Sequence, residues 1–249
     1  MTLAIQTGNE TITAWDILPR LARYQMLPQL VKESIIDDAI ATIECTPEEI
    51  AAACQKFYQQ HQLTTKEQRQ AWCQRHGMDE QDIIELATRP IKIAKFKQDQ
   101  WGENLNRYFV QRKDNLDQVI FSIIRVSDMG LAQEIYFRIQ EGQYFAELAK
   151  TFSEGKEAQT GGMVNPVELG KLPPAMAQLL RTRQAGELLP PFPMGDSIVI
   201  IRVESIIPAQ LDDVTRQRLL EEKFQTWLQS ELKQRGYQIN QLDLHSIYD

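Results

Sequence analysis

The stretch FAELAKTFSEGKEAQTGGMV, Phe145 to Val164, opens as an amphipathic helix and closes as a polar loop with two glycines and two apolar residues. Phe145, Leu148, Ala149 and Phe152 recur at helical spacing. A glycine-rich loop could cradle a phosphate, but phosphate loops follow a strand and lead into a helix whose N-terminus faces the anion. Here the order is reversed, and no Lys-Ser or Lys-Thr follows Gly161 and Gly162. The loop is therefore not read as a nucleotide site.

The segments on either side make this loop part of an α+β unit. Upstream, QVIFSIIRV is rich in β-branched residues over Val119 to Val126, which is strand composition and length. A helix with Leu131, Ile135 and Ile139 follows, ending near Gly142. Downstream, ELGKLPPAMAQLL reads as a turn and a short helix, and DSIVIIRVESI as a second strong strand. PPFP, Pro190 to Pro193, reads as a rigid loop feeding that strand. Strand, helix, helix, glycine loop, helix and strand make a unit of about 90 residues. The polar stretch QRKDNLD, Gln111 to Asp117, is expected as a hinge before it.

The first half carries helix signals only. Thr13 with Asp16 and Thr46-Pro47 with Glu49 are cap patterns, and Thr65 and Asp79 start further helices, with His76 and Gly77 ending the one between them. Ile50, Cys54, Phe57 and His61 share one face and are read as core-side. Pro90 is expected to break or kink the chain. From Leu211 to Arg235 a long stripe that includes Val214, Leu220, Phe224, Trp227, Leu228 and Leu232 needs an apolar partner. The expected organisation is a helical domain over 1–112, an α+β domain over 118–207, a helix over 211–235 packing back on the first domain, and a tail over 236–249.

Composition narrows the function. Of 249 residues, 43% are hydrophobic and 24% charged, which suits a folded globular chain, and the net charge of -7 without a basic run argues against a nucleic-acid partner. No basic start precedes an apolar core at the N-terminus and no stretch of about 18 apolar residues occurs, so no membrane insertion is expected. Three cysteines without framework spacing fit a reducing compartment, and the cytoplasm is the expected location. Cys45, Cys54, Cys73 and His76 match no compact zinc spacing, so neither metal nor cofactor is expected.

FSIIRV, IQEGQYFAELAKTFSEG, TGG and IVIIRVE, in this order and spacing, resemble successive blocks of the parvulin-type (PpiC-like) peptidyl-prolyl isomerases. The helical half and final helix are similar to the chaperone module of the SurA and PrsA kind of foldase. The resemblance implies catalysis of rotation about an Xaa-Pro bond, whose barrier is about 18 to 20 kcal/mol. It implies a substrate-binding set of Met163, Val164, Leu172 and Met176 behind the double glycine. It also implies a polar ring that this sequence lacks. The family's first histidine falls on Ser122, its loop cysteine or aspartate on Gly155, and its second histidine within Ser197 to Val199. Ser122 and Ser197 are the remaining catalytic candidates. The expected function is a folding factor that binds unfolded or extended peptide as a chaperone, with weak or no isomerase activity. An active isomerase is the alternative, and an adaptor of a peptide export or maturation apparatus the second.

Overall fold

The structure is a computed structural model that describes residues 4–236. In chain order its elements are β1 (Ala4–Thr7), β2 (Glu10–Thr13), α1 (Ala14–Arg23), α2 (Leu27–Ile40), α3 (Pro47–Gln60), α4 (Lys66–His76), α5 (Glu80–Trp101), α6 (Leu105–Leu116), β3 (Gln118–Val126), α7 (Met129–Gln140), α8 (Phe145–Phe152), β4 (Met163–Glu168), α9 (Pro174–Arg181), β5 (Phe192–Met194), β6 (Ser197–Ile207) and α10 (Asp213–Arg235). Two compact units divide them. One joins the chain up to Glu103 with the chain from Gln217 onward; the other runs from Asn104 to Arg216.

In the first unit the helices start where side chains can satisfy their free N–H groups. Thr46 and Glu49 form a reciprocal capping box at α3, and Thr65 with Gln68 does the same at α4. Gly77 ends α4 in the left-handed region at φ 65°. α10 lays Phe224 and Leu228 against Ile35, Ile36 and Ile40 of α2 and Phe96 of α5, with Trp101 and Trp227 alongside. Val214, one of the expected stripe residues, is exposed, and Leu219 is fully buried in its stead.

Three expectations change here. The segment before α1 is a β1–β2 hairpin, turning at Gly8 with φ 58°, so this unit is not purely helical. The β-branched run Thr11 to Thr13 supplies its second strand. α5 runs unbroken through Pro90, because Ile83 and Phe96 bury the helix on both sides of it. His61 is exposed, touching Phe57 and Trp72 only from the rim.

The second unit is a four-stranded antiparallel sheet in the order β4-β3-β6-β5. Pro166 in β4 and Pro193 in β5 sit on its two edge strands, where a missing N–H removes no ladder bond. One sheet face packs Phe121, Ile123, Val199, Ile201 and Val203 against Leu169, Met176 and Leu180. The opposite face packs Ile124, Val126 and Ile200 against Ala132, Ile135, Phe145, Leu148 and Ala149 of α7 and α8. The stretch expected as a hinge lies within α6 up to Leu116 and belongs to this unit. Leu105 and Leu116 are buried, Asn115 accepts from Arg181 at 2.5 Å, and Leu169 donates to the Asp117 carbonyl at 2.9 Å. These ties move the boundary from 112 back to 103. Gly236 apart, the expected tail over 236–249 lies outside the described residues.

Candidate functional site

The double glycine is placed by contact as well as by torsion. Gly161 and Gly162 have φ of 65° and 85°, and Gly162 accepts from the Ile123 amide at 2.8 Å. A Cβ on Gly162 would lie 2.7 Å from the Ile123 carbonyl oxygen and 3.0 Å from the Phe145 ring, so only glycine lets the loop come this close to β3. The chain then enters β4, where Val164 pairs with Phe121.

Val164, Leu172 and Met176 are brought together on the sheet face that α9 covers. Met176 is buried at 3% exposure, whereas Val164 and Leu172 are half-buried. Met163 points the other way from Val164, as alternation requires, and is exposed. It does not join the set. A cavity of about 490 Å³ opens beside Met176 and is walled by Leu179, Leu189, Phe192, Met194 and the prolines at 173, 190, 191 and 193. Val164 and Leu172 are not among its walls, so the apolar surface extends beyond the residues the sequence singles out.

The polar candidates separate. Ser122 is buried at 2% exposure and donates to Glu204 Oε1 at 2.5 Å. Glu204 also takes Arg202 at 2.8 Å, and the Arg202 guanidinium lies 5.0 Å from the Phe145 ring. Phe121 and Ile123 face α9, so alternation turns Ser122 to the α8 face, away from Val164 and Met176. Ser197 pairs with Met194 at the β5–β6 turn and shares the parity of Val199, which faces α9. The two serines are therefore not brought into one site.

Gly155 has no side chain to offer, and the carboxylate of Glu157 folds over the space a Cβ would fill. Glu157 Oε1 accepts from Arg125 Nε at 2.7 Å. Arg125 stands opposite Val199 in the ladder, and its parity is that of Ile123. An ion pair thus lies between Gly155, matched to the loop position of the family's polar ring, and Val199, one end of the Ser197 to Val199 range matched to its last-strand histidine. Sequence reasoning passed over Arg125; its signal was the lone charge within a mostly apolar strand. Away from this site, Cys73 is buried in α4 against Phe57, Leu63 and Ile83.

Residues 129–205 match the family described as "Rotamase: PPIC-type PPIASE domain". The chain is 37% identical over 108 residues to the "Chaperone SurA" of Pseudomonas savastanoi pv. phaseolicola, which covers 39% of this chain and 25% of that one. It is 24% identical over 196 residues to the "Foldase protein PrsA" of Caldanaerobacter subterraneus subsp. tengcongensis, covering 74% and 60% respectively. The chain therefore spans a quarter of the one relative and three fifths of the other. The crystal structure of the peptidylprolyl isomerase PrsA from Bacillus cereus overlays at a TM-score of 0.53 with 18% identity, covering 96% of this chain and 94% of that one. The shared fold covers both units, and within the second unit residues 129–205 are similar to the parvulin-type peptidyl-prolyl isomerase family.

Proposed function

We propose that this chain is an isomerase-like folding factor that binds unfolded or extended polypeptide as a chaperone and catalyses prolyl isomerisation weakly or not at all. The observation that carries the reading is the split between apolar and polar parts. Val164, Leu172 and Met176 share one face, while Ser122 is turned to the other face and engaged by Glu204. An isomerase must hold the twisted amide more tightly than the planar one. Apolar burial alone holds both equally. It lowers the two energies together and leaves the barrier unchanged.

Two measurements test this. Exchange line broadening on a short Xaa-Pro peptide should show little acceleration by the full chain; rapid exchange abolished by Ser122→Ala would establish an active isomerase instead. Titration with a permanently unfolded protein should show binding that Leu172→Glu weakens. Unchanged binding in that variant would move the client surface off this face.

A second reading, an adaptor docking on an export or maturation apparatus, is favoured by α1, which buries none of its residues and exposes Trp15 and Leu18. Crosslinking from position 15 in cells tests it, and labelling of unfolded clients alone would reject it. The proposed compartment is the cytoplasm, supported by three free cysteines. Recovery of the chain in an extracytoplasmic fraction would overturn that assignment.

A further inference from the structure

The Arg125–Glu157 pair is built in an unusual way. Glu157 takes Nε of the guanidinium at 2.7 Å, which leaves the two terminal nitrogens. Among the described residues these meet no acceptor, and the Arg125 side chain is 34% exposed while that of Glu157 is 15%. The carboxylate is thus the inner partner and the guanidinium fork the outer one. The backbone of Arg125 is fixed separately: its amide donates to Ser153 Oγ at 3.1 Å and its carbonyl accepts from Glu154 at 2.8 Å. Arg125 is therefore held at both ends with its fork left over. It stands between Gly155 and Val199, on the parity of Phe121 and Ile123.

Taking the apolar face as the peptide surface, we propose that Arg125 is the donor that fastens a bound peptide to it, its terminal nitrogens taking a backbone carbonyl of the extended chain. Charge decides between carbonyl and carboxylate. Glu157 already balances the guanidinium, and Glu154, which accepts from Ser127, and Asp128, which caps α7, lie close in sequence at the same strand end. A further carboxylate would be repelled, whereas a neutral carbonyl fits a fork with spare donors. The same contact explains binding without catalysis. A donor on an amide oxygen favours the planar, resonance-stabilised form, and rotation must lose that resonance. Arg125 is a positioning residue that holds the ground state.

The experiment uses the full chain, isotope-labelled, and a capped, uncharged octapeptide with a central Leu-Pro, alongside the same peptide carrying a Glu before the Leu. Wild type should bind the neutral peptide and prefer it to the acidic one. Arg125→Ala should weaken the neutral peptide about five- to tenfold while the β3 and β6 amides stay in place. Glu157→Gln should leave the neutral peptide within about twofold and strengthen the acidic one about tenfold. The two variants thus act in opposite directions. If the pair merely ties the loop to the strand, both weaken the neutral peptide together and both shift the Gly161 and Gly162 amides, which overturns the proposal. Binding that is lost in Leu172→Glu but unaltered in Arg125→Ala overturns it while leaving the peptide face intact. No binding by wild type overturns both.

Discussion

Met176 and Leu172 look alike in the sequence and part company in the structure. Met176 is buried, so Met176→Glu places an uncompensated charge in the core and should unfold the second unit, read as loss of its cooperative melt. Leu172 is half-buried at the end of a short turn, so Leu172→Glu should keep the fold and reduce peptide affinity by about tenfold or more, measured by titration. Gly162→Ala adds a methyl that meets the Ile123 carbonyl at 2.7 Å in a left-handed backbone, and should cost about 1 to 3 kcal/mol in urea unfolding. Ser122→Ala removes one hydrogen bond from Glu204, which keeps Arg202, so it should cost about 1 kcal/mol and leave the exchange rate of an Xaa-Pro peptide unchanged.

α3 is fixed to α5 by its own cap. Glu49 accepts from the Thr46 amide at 2.8 Å and from Lys95 Nζ at 2.6 Å, and Lys95 also donates to the Glu44 carbonyl. The Lys95 hydrogen bond, with the Thr46 amide second, holds the Glu49 carboxyl below the usual carboxylate range. Its contribution to stability is therefore present above the ordinary glutamate pKa and is lost as pH falls through the lowered folded value. Urea midpoints against pH should show an acid-side decline that is shallower in Glu49→Gln than in wild type; parallel curves would refute it. Thr46→Ala should cost about 1 kcal/mol at neutral pH. On α10, Phe224→Ala empties a site among Ile35, Ile36 and Phe96 and should cost about 3 to 5 kcal/mol, confined to the amide signals of the first unit.

The first unit is discontinuous, with the second inserted between its parts. Residues 104–216 expressed alone should therefore fold, with dispersed amide signals, because both faces of the sheet find their core within that segment. Residues 1–103 alone should not, since α2 and α5 would expose the surface that Phe224 and Leu228 cover. A stable, cooperatively melting 1–103 fragment would refute this account of the core. Within the 104–216 fragment, the end of α6 should be protected from amide exchange, because Asn115 and Asp117 are tied to Arg181 and Leu169 of the same fragment.

The sequence by itself determined what depends on neighbours in the chain. Caps at Thr46, Thr65 and Asp79, the Gly77 terminator, the strands around Ile123 and Ile200 and the double-glycine turn are set by local hydrogen bonding, torsional freedom and period. The block order from Val119 to Ile207 carried the resemblance to the parvulin-type family as well. Only the tertiary structure decided what depends on distant partners. Pro90 stays helical because burial on either side outweighs one missing hydrogen bond. Gln111 to Asp117 is structural rather than a hinge because Asn115 and Asp117 reach Arg181 and Leu169, more than 50 residues away. Ser122 turns from the face that holds Val164 and Met176, and Arg125 turns toward it, because a strand sends alternate side chains to opposite sides and only the packed helices α8 and α9 reveal which side is which.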